Sequence, residues 1–161
     1  NLNVYLLSEN SAGNLVSPNQ TLRENTRIWL NKYRMINDTI DVLDAKVINI
    51  GINFKVLPEL DVNRYELLET CVQKLKDEYL NIKFNVGEAV YISEIYKLLN
   101  DVPGVVDTME VELFNKVGGL YSNYRFDIDS NLSDDGRFLL VPENSAAEVL
   151  FPDTDIIGAV T

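Results

Sequence analysis

The sequence predicts an α+β fold. A small two-layer α/β sandwich, in the order β-α-β-α-α-β, is expected over residues 1–118, followed by an extended β-rich C-terminal arm or β-ribbon over 119–161. Three observations predict it. Apolar residues recur at helical spacing over about 19–34 and again over about 63–80. Between these stretches Ile48, Ile50, Ile52, Phe54 and Val56 alternate with Val47, Asn49, Gly51, Asn53 and Lys55, the period of a half-buried strand with one wet face. After Val117-Gly118-Gly119 no helix-period stripe remains.

The first strand is expected at about 2–8, where Val4 and Leu6 alternate with Tyr5 and Leu7. Ser8 to Asn14 is a polar loop, and Ser17-Pro18-Asn19 is a helix start signal. The helix that follows places Leu22, Thr26, Trp29, Leu30 and Tyr33 on one stripe, so Trp29, the only tryptophan, is expected in the core. Asn37-Asp38-Thr39 ends this helix, and Ile40–Asp44 crosses to the alternating strand, which Pro58 ends. The second helix begins at Asn63 with Glu66 three residues later, the spacing of a capping box. Its core stripe is Leu68, Cys71, Val72, Leu75 and Tyr79. Glu66, Glu69, Gln73, Lys74, Lys76 and Asp77 make a solvated face.

Ile82, Phe84 and Val86 alternate as a short extended piece leading to Gly87, and a short helix is expected over about 92–100. Pro103-Gly104 then specifies a type II turn, because proline presets φ at its second position and glycine takes the positive φ required at the third. Val102, preceding a proline, is pushed out of the α region and stops the helix. The last strand of the sandwich, Val105 to Leu113, is read with Val105, Met109, Val111 and Leu113 on one face and Thr108, Glu110 and Glu112 on the other. Beyond it lie extended pieces at 124–128, 137–141 and 147–151, with Asp134-Asp135-Gly136 placed to close a hairpin between the first two. Their apolar content exceeds that of a disordered tail, so they read as an arm lying on a partner.

Whole-chain chemistry narrows the function classes. The 161 residues carry a net charge of −11, which repels phosphate backbones and anionic lipid, so neither nucleic acid nor membrane is expected as a partner. No apolar run approaches the ~20 residues of a membrane-spanning helix. There is no histidine, which removes Ser-His-Asp and Cys-His catalysis and histidine-ligated metal from this segment. The single cysteine, Cys71, permits no internal disulfide and no cysteine zinc cluster, and is expected as a buried small hydrophobe in a reducing compartment. The chain begins at Asn1 inside an apolar run and is expected to be a piece of a longer or processed polypeptide.

Two places invite a site. Asp127, Asp129 and Asn131 alternate as the opening of a calcium loop does, but Leu132 stands where that loop needs glycine and Phe138 where it needs a bidentate glutamate. An acidic turn over 127–136 is the expectation. The wet face of the alternating strand, around Asn49, Asn53 and Lys55, would suit a ligand-binding or regulatory α/β domain of a larger protein. Gly13 and Gly118-Gly119 match no phosphate-cradling pattern. No catalytic residue, cofactor or metal site is expected, and the chain is not read as an enzyme.

Residues 22–113 resemble the C-terminal portion of the baseplate J-like family, the wedge proteins of contractile phage tails and related injection machines. The likeness is carried by Val47-Ile48-Asn49-Ile50-Gly51-Ile52, by Gly87-Glu88-Ala89-Val90-Tyr91-Ile92-Ser93-Glu94-Ile95-Tyr96 and by Val102-Pro103-Gly104-Val105-Val106-Asp107. Leu22 to Asn25 and Tyr33 to Ile36 look like the preceding helix and its exit. Val141-Pro142-Glu143-Asn144, Phe151-Pro152 and Ile156 to Val160 look like the end of the large wedge subunits of T4-like phages. The resemblance implies a structural virion role in the tail baseplate, assembled in the host cytoplasm. Its implied partners are further copies of the chain and neighbouring wedge subunits, and it brings no catalytic residues.

Overall fold

Thirteen consecutive residues of one strand run through the middle of the molecule, and the other elements are placed by what pairs with that strand. The computed structural model describes all residues 1–161 and is a mixed α/β fold with four helices and several sheets. The central strand is β5 (Lys46–Pro58); β1 (Leu2–Leu6), β2 (Ser8–Glu9), β3 (Leu15–Val16), α1 (Gln20–Asn31) and β4 (Ile40–Asp44) precede it. After it come α2 (Arg64–Asn81), β6 (Val90–Tyr91), α3 (Ile92–Asn100), β7 (Val105–Asn115), β8 (Phe138–Leu139), β9 (Ser145–Glu148), α4 (Pro152–Asp155) and β10 (Ile156–Val160).

The alternation of β5 does what its period dictates. Ile48, Ile50, Ile52, Phe54 and Val56 are all buried and face α2 and α3, which pack on β10 and β7 respectively. Asn63 caps α2 by accepting the Tyr65 amide at 3.1 Å, and Leu67, Cys71, Leu75 and Tyr79 form its buried stripe. Leu68 and Val72, expected at the centre of that stripe, lie on its flank, half-buried against the core. Ile92, Ile95 and Leu99 of α3 complete the layer. Burial of each such aliphatic side chain contributes about 1.5–3 kcal/mol. The Pro103-Gly104 turn forms as read: Gly104 has φ +95°, and the Val105 amide donates to the Val102 carbonyl at 3.2 Å.

Four expectations are corrected. First, β7 pairs antiparallel with β5 through two register shifts, and one of them steps from Lys55–Glu110 to Val56–Thr108. Met109 is the extra residue, so the bulge turns it outward and brings Thr108 inside, where its hydroxyl donates to Asn100 Oδ1 at 2.6 Å. Second, residues 145–160 do not reach away as an arm. β9 pairs in parallel with β5 at 46–49 and β10 at 52–56, so the two form one interrupted strand along the edge of β5 opposite β7. Third, the Asp134-Asp135-Gly136 turn closes with the Gly136 amide on the Ser133 carbonyl, but 124–128 and 137–141 do not pair. β8 pairs instead with β6, while 82–86 form no strand.

Fourth, the first strand does not join the central sheet. β1 pairs in parallel with β4, with α1 as the crossover helix between them, as a parallel pair requires. The β2–β3 hairpin lies in the same crossover connection. α1 is capped by Asn19, whose Oδ1 accepts the Leu22 amide at 2.8 Å, yet none of its residues is buried. Trp29 is 57 % exposed rather than in the core. α1 packs on β4, which leaves Thr26 and Leu30 of the expected stripe half-buried, while Leu22, Trp29 and Tyr33 remain uncovered.

Candidate functional site

Two features stand out from the scaffold: a buried polar seam along β5 and an uncovered face on α1. The seam begins where β9 ends. Asn49 sits on the same face of β5 as Asn53 and Lys55, but the fold separates them. Asn49 is buried beneath residues 115–124, whereas Asn53 is exposed and Lys55 is half-exposed on open sheet. Asn49 Oδ1 accepts the Ser122 amide at 2.7 Å, and its backbone carbonyl accepts the Asn115 side-chain amide at 3.0 Å and the Lys116 amide at 2.8 Å. Asn115 Oδ1 in turn accepts the Phe126 amide at 3.0 Å. Asn49 therefore holds the exit from β7 through both its side chain and its backbone carbonyl.

Glu148, at the end of β9, lies beside Asn49. Its Oε2 accepts the Leu15 amide of β3 at 2.6 Å, and its Oε1 accepts Asn49 Nδ2 at 3.5 Å. Burial pushes the Glu148 carboxyl above the usual range, and the two donors with nearby Lys83 oppose that shift in part. Asp155, at the end of α4, is 1 % exposed. Its Oδ1 accepts the Tyr121 hydroxyl at 2.6 Å, its Oδ2 accepts the Phe151 amide at 3.3 Å, and Lys116 Nζ stands 3.9 Å away. That hydrogen bond, with lesser help from burial and the carboxylate charge, holds the Tyr121 phenol above its ordinary pKa.

An open cleft of about 740 Å³ lies over this seam, bounded by Asn14, Val47, Tyr121, Tyr124 and Phe151. The seam's polar atoms are turned toward one another, and no buried side-chain nitrogen or oxygen lacks a partner. Its chemistry is that of a clamp. Glu148 ties the N-terminal hairpin to the sheet, Asn49 ties down 115–122, and Asp155 ties down Tyr121.

The acidic turn at 127–136 is built the same way. Asp127 accepts the Ser130 hydroxyl at 2.7 Å and its amide at 3.2 Å, while Asp135 accepts the Ser133 hydroxyl at 2.7 Å and the Arg137 amide at 3.2 Å. Those bonds hold both carboxyls below the usual range. The carboxylates close their own turn, and nowhere in the chain do three His, Cys, Asp or Glu side chains converge as metal ligands. Cys71 is buried, and burial pushes its thiol up. Gly118 and Gly119 both take positive φ at the exit from β7, with open space around them.

The second feature is α1 and its exit. Leu22 and Trp29 are exposed on α1 and Tyr33 on the turn after it, with the Trp29 and Tyr33 ring centroids 4.9 Å apart, and Met35 and Ile36 are exposed beyond them. Ile36 is 99 % exposed. Arg23, Arg27, Lys32 and Arg34 against Glu24 make residues 20–36 net positive by three in a chain whose total is −11. Of these cations only Arg23 makes an ion pair, with Asp44 at 2.6 Å.

Sequence reasoning missed Glu148, Asp155 and Tyr121. The one available signal was the pair of carboxylates flanking the apolar stretch Val149-Leu150-Phe151, hard to separate from 23 others. No family model and no curated protein matches this chain.

Proposed function

We propose that this chain is a structural assembly element, part of a phage tail baseplate wedge subunit that links neighbouring subunits in the baseplate ring. The observation that carries the reading is the uncovered face of residues 20–36. A capped helix and the turn that follows it present Trp29 against Tyr33, then Met35 and Ile36, to solvent, and exposed apolar surface of this kind marks interaction sites. Exposed aromatics interleaved with arginine are the composition of interface centres.

The likeness of 22–113 to the baseplate J-like family supports the same role. In this reading the Gly87–Val105 unit, the polar seam and the small sandwich work as geometry-holding parts, and neither catalysis nor a cofactor is called for. Sedimentation velocity of the purified chain across a concentration series tests it, together with electron microscopy of an assembled tail in which the chain is placed. Concentration-dependent association and density in the baseplate ring are expected. A monomer at every concentration that is also absent from the particle would sink the proposal.

A second reading, a ligand-binding or regulatory α/β domain of a larger protein, draws on the open cleft beside Asn49 and Glu148. A thermal-shift screen in which one small molecule stabilises the chain, and no longer does so in Asn49→Ala, would favour it.

A further inference from the structure

We propose that α1 of one copy docks on the open face of the central sheet of a second copy; this rests on the assembly reading above and names the surface that meets the helix. Over residues 53–57 of β5 the central sheet is covered on one side only. α2 and α3 lie over Ile52, Phe54 and Val56, while the opposite side over 53–57 carries no layer. That open side is apolar and acidic. Val106, Met109 and Ile157 are each more than half exposed, and Asp107, Glu110 and Glu112 stand among them. Lys55 pairs with Glu110 at 3.5 Å, which leaves Glu112 without an ion pair. A shallow depression of about 300 Å³ crosses the strands there, lined by Asn53, Lys55, Glu110, Glu112, Ile157 and Ala159.

The uncovered helix has the complementary character. Leu22, Trp29 and Tyr33 supply apolar area, and Arg27, Lys32 and Arg34 supply positive charge that no acidic side chain of this copy pairs. A sheet covered on one face gains a second helix layer, and an uncovered amphipathic helix gains a sheet. Charge decides the register and the partner: polyanions are repelled by the −11 chain as a whole, whereas the acidic sheet face attracts this one basic segment. The two surfaces lie on different parts of the molecule, so the contact is head-to-tail. A docked pair keeps one free helix and one free sheet face, and association grows into a ring or a filament.

Two full-length variants with changes at exposed positions test this, Trp29→Asp on the helix and Ile157→Asp on the sheet. Each alone should self-associate about tenfold or more weakly by sedimentation velocity, as loss of an interface-centre aromatic or aliphatic anchor does. An equimolar mixture should form a 1:1 pair that grows no further, because only one helix and one sheet face remain competent. High salt should weaken wild-type association. If both variants assemble as wild type does, the helix–sheet contact is wrong while the assembly reading stands. A loss in Trp29→Asp alone, with no pairing in the mixture, would indicate a symmetric helix–helix contact and overturn it equally. A wild-type chain that stays monomeric, or whose α1 binds only anionic vesicles, overturns the helix–sheet contact, and the assembly reading then falls only if the chain is also absent from the particle.

Discussion

The Phe114 ring occupies the space that a Cβ on Gly51 would need, and the two residues are direct cross-strand partners. The same device recurs on the other face of the sheet, where the Phe54 ring lies over its partner Gly158. Each glycine lets an aromatic ring cover the backbone between strands. The two pairs differ in how freely the ring can yield. Phe54 is buried and Leu68 also crowds Gly158, whereas Phe114 is half-exposed. Gly158→Ala should therefore cost about 2–3 kcal/mol and Gly51→Ala about 1 kcal/mol, measured by urea denaturation. Equal costs would show that Phe114 is as tightly held as Phe54.

A second contrast separates core from surface. Leu75→Ala opens a cavity beneath the fully buried face of α2 and should cost about 2–5 kcal/mol. Trp29→Ala removes a larger side chain, yet from an exposed position, and should change stability by less than about 0.5 kcal/mol. A substantial drop in melting temperature for Trp29→Ala would place the tryptophan in a packed layer.

These contrasts mark what was legible in the sequence. The burial of β5 and the Pro103-Gly104 turn were legible because each is encoded within a few residues by a period or a backbone requirement. The bulge at Met109 was not, since one inserted residue flips the face without altering composition. β9 and β10 were hidden by Phe151-Pro152, which breaks the run, and by a partner strand about a hundred residues earlier. Trp29 was misplaced because a helical stripe states that a face is apolar and not which neighbour covers it. Of the seam, Asn49 was picked out for a wet sheet face and proved buried, while Glu148 and Asp155 were two carboxylates in an acidic chain.

The clamp at Tyr121 gives a third prediction. Tyr121→Phe keeps the ring and its edge-on packing against Phe151 but removes the hydroxyl donor from buried Asp155. The carboxylate keeps only longer bonds, from the Phe151 amide at 3.3 Å and the Thr154 hydroxyl at 3.5 Å, with Lys116 at 3.9 Å, so the variant should lose about 1–3 kcal/mol. An unchanged denaturation midpoint would mean that the hydrogen bond contributes nothing net.

Glu148 gives the fourth, with a definite sign. Its folded-state carboxyl titrates above the ordinary glutamate value of 4.5, so the unfolded chain releases this proton first as pH rises. From that group alone, stability falls as pH climbs through the ordinary glutamate range and levels off above the raised value. Glu148→Gln cannot ionise and lacks that loss. The stability of Glu148→Gln relative to wild type should rise from acid toward neutral pH, read from denaturation midpoints along a pH series. Asp127 and Asp135 act in the opposite sense: their lowered carboxyls contribute stability that is lost as pH falls below the ordinary aspartate value of 3.8. A pH-independent difference between Glu148→Gln and wild type would show the Glu148 carboxylate to be solvated as in the unfolded chain.

The last prediction concerns residues 119–161, whose removal would leave an intact sandwich if they were a detachable arm. The structure makes the opposite demand. Removing them strips β9 and β10 from β5 and leaves the edge opposite β7 unpaired along both stretches, with Ile48, Ile52 and Phe54 losing cover. It also removes Ala146, Ala147, Val149 and Ile156 from the core and Glu148 from its bond to Leu15. With Ile128, Leu139 and Val141 also removed from the core, five larger aliphatics at about 1.5–3 kcal/mol each give a loss of the same size as the roughly 5–15 kcal/mol that a domain of this size has in hand. A chain ending at residue 118 should therefore lack a cooperative thermal transition and exchange its β5 amides quickly, whereas the full chain protects them. A truncated protein that melts cooperatively with β5 amides still protected would show that 1–118 folds alone and that the strand pairing of 145–160 is dispensable.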